Sequence, residues 1–185
     1  MKKGIFLTLL LSIVTFGFAQ AQSSSQAPLK ITKFSDYQCP ACKYYGQILD
    51  QIKEDFGSRI EVTYKNYPLR MHQYAELAAR AAEAAKKQDK FIEMHEMLFV
   101  GQEQWSRGNA QSIFIGYAKE LGLDMEQFET DLNSARLNRV VLADKREGTS
   151  LGVNSTPTFF INGEKVERLP QTYEAFKMLI ESKMK

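Results

Sequence analysis

Ser35 to Gly46 reads SDYQCPACKYYG and holds both cysteines of the 185-residue chain. Cys39 and Cys42 are separated by Pro40 and Ala41. A pair at this spacing serves as a disulfide staple, as half of a metal site, or as a redox couple that makes and breaks its own bond. The flanking residues place it at the start of a helix. Pro40 to Phe56 reads as helical, with Cys39 at the N-cap, Pro40 at the first helical position and Gly57 just past the end.

The three chemistries make different demands. A Cys39–Cys42 bridge closes a loop of four residues, for which chain entropy gives roughly 2 kcal/mol before strain is subtracted. It ties one helical turn to itself, where a staple joins distant segments. A structural zinc site needs four ligands. The chain has no third cysteine, and its two histidines, His72 and His95, lie far apart in stretches that read as helical. Both fit packing or capping roles. Copper delivery needs only two thiolates and stays open as a minor reading. Redox chemistry needs a thiol that ionises near neutral pH. At a helix N-terminus a thiolate meets unpaired backbone N–H groups and the positive end of the macrodipole. Cys39 occupies that position and is the expected nucleophile. Cys42, one turn inward, is the expected buried resolving thiol.

Outward from this turn, LKITKFSDY reads as a first strand and Arg59–Tyr67, RIEVTYKNY, as a second, stopped by Pro68. Two strands joined through a helix form a parallel unit. From about residue 70 to 150 the chain turns alanine-rich, with apolar residues at three- and four-residue spacing. This predicts an all-helical block of about four helices. Met71, Met94 and Met97 fit its core. Thr158–Ile161 and Glu164–Val166 flank Asn162-Gly163, a two-residue hairpin signal. Pro170 is expected to open a last helix.

The N-terminal stretch MKKGIFLTLLLSIVTFGFAQAQ has two lysines, an apolar run of about fifteen residues and a small-residue site ending at Ala21. That is the pattern of a cleaved secretory signal, with a run shorter than the roughly 20 residues of a membrane span. Residues 22–28 then read as a flexible leader, and residues 29–185 as one domain. Export implies an oxidising compartment, periplasmic or otherwise extracytoplasmic. The chain carries 24 Lys+Arg against 22 Asp+Glu. Without Lys2 and Lys3 the two signs balance, so no basic excess invites nucleic acid.

Four stretches, FSDYQCPACKYY, NYPLRMHQYAELAARAAEAA, KFIEMHEMLF and GVNSTPTFFINGE, together resemble the DsbA-like thiol:disulfide oxidoreductases of the thioredoxin-fold superfamily. The resemblance implies an α/β thioredoxin fold, a central mixed sheet flanked by helices, with an inserted all-helical subdomain. It implies that Thr156-Pro157 is a cis peptide facing the C-P-A-C turn, so that Pro40, Ala41, Thr156 and Pro157 support the catalytic Cys39 and Cys42. It further implies protein substrates with free thiols, reoxidation by a membrane redox partner, and no metal or organic cofactor. The same superfamily contains reductases and isomerases. Isomerases usually carry an added dimerisation domain, for which this chain has no room. A non-catalytic chaperone or copper carrier is the reading from a different class. Two positions depart from the family pattern. Ala41 stands where many oxidants carry histidine, which predicts a milder oxidant. Lys33 stands six residues before Cys39, where many relatives carry an acid that serves the resolving thiol. Lys33 reads either as a charge that favours a thiolate or as a solvated strand lysine.

Overall fold

The computed structural model describes residues 27–184. The signal segment and residues 22–26 of the leader lie outside the described residues. The element order is β1 (Leu29–Ser35), α1 (Pro40–Phe56), β2 (Ile60–Asn66), six helices, β3 (Thr158–Ile161), β4 (Glu164–Lys165) and α8 (Tyr173–Lys183). The six are α2 (Ala75–Lys86), α3 (Phe91–Val100), α4 (Gln102–Trp105), α5 (Ala110–Glu120), α6 (Met125–Leu132) and α7 (Ala135–Ser150).

The sheet runs β2-β1-β3-β4. β1 pairs in parallel with β2 from Leu29↔Ile60 to Ser35↔Asn66. It pairs antiparallel with β3 from Ile31↔Ile161 to Phe34↔Thr158. The parallel pair is possible because α1 supplies the crossover. The β3–β4 turn is made by Asn162 and Gly163 at φ 49° and 84°. Two consecutive left-handed residues form the tight turn whose twist matches the strands.

β1 is an interior strand covered on both faces. On one face Ile31, Phe159 and Ile161 pack with Ile48, Leu49 and Ile52 of α1 and Phe176 and Ile180 of α8. On the other, Phe34 and Phe160 pack with Tyr67 and Val153. Gly148 of α7 closes this second face, where a Cβ would lie 2.9 Å from both the Phe34 and Tyr67 rings. Glycine to alanine in a helix ordinarily stabilises by about 1 kcal/mol. Here overpacking, worth about 1–3 kcal/mol, wins. Gly148→Ala is expected to lower the urea midpoint, and an unchanged or raised midpoint would contradict the close contact.

The helical block has its own core. α2 lies at its centre, packing against α3, α5, α6 and α7. It does so because Ala78, Ala79, Ala81, Ala82, Ala84 and Ala85 are all buried, and small side chains admit close neighbours on every side. Met94, Leu98, Trp105, Phe114, Phe128 and Val141 fill the space around it, and the same cluster reaches Tyr37, Cys39 and Cys42.

Several sequence expectations need correction. The block holds six helices, not four, because α4 and α6 are only four and eight residues long, too short for a clear periodic signal. β1 ends at Ser35 and not Tyr37, since Asp36 turns the chain into α1. The last helix starts at Tyr173, where the Thr172 hydroxyl caps the Ala175 N–H at 3.2 Å; Pro170 lies before it. His72 sits in a turn, not a helix. Met71 is 82% exposed and outside the core, whereas Met94 is fully buried.

Candidate active site

Cys39 takes extended backbone angles, φ −80° and ψ 118°, at the N-cap of α1, with Pro40 at the first helical position. Its side chain makes no cap hydrogen bond. Both cysteines are free thiols. Pro40 and Ala41 between them are exposed, and Cys42 is fully buried. The Thr156–Pro157 bond is cis, and the Cys39 thiol donates to the Thr156 carbonyl oxygen at 3.4 Å. The structure therefore brings all six expected site residues together, although Cys39 and Thr156 are 117 positions apart.

The two thiols are driven apart in acidity. Cys39 is lowered to about 5. The largest cause is a hydrogen bond from the Cys42 thiol, which outweighs partial burial. The Thr156 side chain and the backbone N–H groups of Cys42 and Ala41 add to it. Cys42 is raised well above an ordinary thiol, first by burial, then by its hydrogen bond to Cys39 and the negative charge there. Lys33 and the Asp36 N–H, which approaches the Cys42 sulfur at 3.4 Å, oppose that rise. One sulfur is thus a thiolate at neutral pH and its neighbour a protonated reserve, as a nucleophile and a resolving thiol require.

Sequence reasoning missed the supports of the turn. The buried Asp36 carboxylate accepts from the Gln38 N–H at 2.7 Å, the Leu69 N–H at 2.7 Å and His72 Nδ1 at 2.8 Å. The contact to Gln38, two residues on, is a local aspartate turn that the sequence offers; those to Leu69 and His72 are not local. Gln102 of α4 donates to the carbonyl oxygens of Tyr37 at 2.6 Å and Cys39 at 3.0 Å. Tyr37 Oη shares a 2.8 Å hydrogen bond with His95 Nδ1. Burial, with the nearby Lys33 and Lys53 charges, lowers His95 to about 3, so it is neutral at working pH. Both histidines are therefore braces. Tyr37 is buried, Tyr45 packs edge-on to Phe159, and Tyr44 is exposed and donates to the Gln171 carbonyl oxygen.

Lys33 departs from the solvated reading. It is 0% exposed, and its amine donates to the Cys42 carbonyl oxygen at 3.1 Å. Among the described residues, no three His, Cys, Asp or Glu side chains gather as a metal site.

A family model described as thioredoxin matches residues 21–182. Over 86% of this chain and 89% of that one, the fold superimposes on oxidised BdbD of Bacillus subtilis at TM-score 0.74 and 25% identity. Wolbachia pipientis alpha-DsbA1 matches over 86% and 87%, at TM-score 0.74 and 19% identity, a likeness of fold. Among curated proteins, a segment of the Na(+)/H(+) antiporter NhaA 1 of Mycobacterium sp. (strain KMS) is 35% identical over 144 residues. That match covers 75% of this chain and 22% of the antiporter. NhaA of Herminiimonas arsenicoxydans is 33% identical over 149 residues, 80% of this chain and again 22% of the relative. The chain thus spans about a fifth of the length of these curated relatives.

A thioredoxin fold with a C-x-x-C pair at the head of α1 is the arrangement that thiol–disulfide exchange requires. The chain belongs to the thioredoxin family.

Proposed function

We propose that this chain is an exported oxidase that introduces disulfides into secreted or envelope proteins. The observation that supports this direction is the stabilised Cys39 thiolate. A dithiol form that is held low in free energy makes the corresponding disulfide a stronger oxidant. In the cycle a substrate thiolate attacks Cys39 of the Cys39–Cys42 disulfide. The S–S bond breaks, Cys42 leaves with the electron pair, and a mixed disulfide joins Cys39 to substrate. The substrate's second thiolate attacks its own sulfur in that bond. Cys39 leaves as thiolate, the substrate is oxidised by two electrons and the enzyme reduced. Turnover then needs an electron acceptor, for which a quinone-linked membrane partner is the family-based candidate. Among the described residues no helix is long and apolar enough to cross a membrane.

The test is the reduction potential of the Cys39–Cys42 couple, measured against glutathione buffers. Superfamily members range from about −120 mV for strong oxidants to about −270 mV for thioredoxin. With Ala41 between the cysteines, we expect a value above about −200 mV, together with faster peptide oxidation than insulin reduction. A potential at or below that mark overturns the oxidase direction in favour of a reductase.

A further inference from the structure

Lys33 is a buried charge that the exchange cycle above does not use. It lies in the interior strand β1 with no exposed surface. Its amine is held by the Cys42 carbonyl oxygen at 3.1 Å and lies 5.2 Å from the centroid of the Phe99 ring. Gly46 lies beside it, where a Cβ would stand in ordinary contact, 3.5 Å from Nζ. Among the described residues no carboxylate forms an ion pair with it. A buried ammonium without a paired anion is costly, and packing alone is served as well by methionine.

The groups around the amine show what its charge answers. α1 presents Cys42 and Asp50, and its N-cap presents Cys39, each of which favours the ammonium form. α3 presents His95, which is neutral, and the uncharged Phe99. β2 places Tyr64 opposite Lys33 in register, and β3 places Phe159 there. Burial lowers Lys33 from 10.5 to about 8, with Cys42 first among the opposing charges. The amine therefore changes protonation within reach of neutral pH, next to the residue whose sulfur must do the same.

We propose that Lys33 is a positioning residue for Cys42, taking up the proton that its thiol gives up and answering the resulting thiolate with an ammonium charge. The assignment rests on the exchange reading above. When the dithiol closes from a mixed disulfide, the Cys42 thiol passes its proton to the neutral amine. The Cys42 thiolate attacks Cys39, the Cys39–Cys42 bond forms, and the partner sulfur leaves with the electron pair. When the disulfide opens under attack at Cys39, Cys42 leaves as thiolate beside the ammonium, which returns the proton.

The two sulfurs are separated in time by an aromatic disulfide reagent, dithiobis-nitrobenzoate. A first release of thionitrobenzoate reports attack by Cys39, and a second reports closure by Cys42. In Lys33→Met the second phase is expected to slow at least about tenfold at pH 7, and its pH profile to lose the bend near 8. The first phase keeps a midpoint well below that of a free thiol, because the hydrogen bonds that lower Cys39 do not involve Lys33. A second phase with unchanged rate and pH dependence overturns the assignment. Failure of the unsubstituted protein to show either phase sinks the exchange reading itself, a separable result. In the unsubstituted dithiol protein, nitrogen NMR of the lysine amines is expected to show one amine titrating near 8. Titration of every amine at the ordinary lysine value overturns the proposal without recourse to a variant.

Discussion

Cys39→Ser is expected to reduce thiol–disulfide exchange to the uncatalysed background, while Cys42→Ser keeps the first chemical step and stalls after it. The asymmetry follows from the two environments. With Cys39 lowered to about 5, about 99% of it is thiolate at pH 7, against a few per cent for a free cysteine. A serine hydroxyl supplies no comparable anion at any accessible pH. Cys42 meets none of these demands, being fully buried and raised well above an ordinary thiol. Its loss leaves Cys39 able to attack but removes the group that expels the bound partner. Mass spectrometry of Cys42→Ser incubated with a disulfide peptide should show a long-lived adduct on Cys39. Alkylation by iodoacetamide should titrate with a midpoint near pH 5 in the intact protein. A midpoint near 8.5, that of free cysteine, or persistent turnover in Cys39→Ser, would assign the chemistry to the wrong sulfur.

The second large effect runs against intuition. Lys33→Met is expected to stabilise the fold by about 3 kcal/mol at pH 7, at about 1.36 kcal/mol for each unit between 10.5 and 8. The sign is that of a base whose folded pKa is lowered. Between about 8 and 10.5 the unfolded chain binds more protons than the folded one, so wild-type stability rises with pH across that window. Below about 8 the cost of burying the charge is present in full. Methionine removes the charge while keeping an unbranched chain of similar reach. Urea unfolding of the dithiol proteins should show the gap between variant and wild type widest at pH 7 and closing by about pH 10.5. A gap that does not vary with pH would mean that packing and not ionisation separates the two. A residue kept at such expense is what a trade of stability for function predicts.

The parts of the site that were legible in the sequence are those fixed by neighbours in the chain. Cys39 before Pro40 announces a helix start because proline suits the first turn. Asn162-Gly163 between two apolar runs announces a hairpin because both residues tolerate positive φ. The burial of Lys33 was not legible. Alternation along a strand assigns a polar residue to solvent only when one face is wet, and β1 is an interior strand covered on both faces. Nor were the contacts of Asp36 to Leu69 and His72, or of Gln102 to the Tyr37 and Cys39 carbonyls. These join segments over 30 and over 60 residues apart, a distance that no periodic pattern encodes. The resemblance to a known family reached across that gap for Thr156-Pro157 alone. At Lys33 it marked a departure from the family pattern but did not choose between a charge that favours a thiolate and a solvated lysine.

Thr156 and Pro157 follow the reactive turn by more than a hundred residues. A ribosome therefore delivers both sulfurs long before the wall that flanks them. Until the late hairpin docks beside β1, the emerging polypeptide carries an unguarded dithiol, without the contribution that Thr156 makes to the acidity of Cys39. Full reactivity is thus a property of the finished chain, and a fragment halted before the hairpin would hold the cysteines without the complete chemistry.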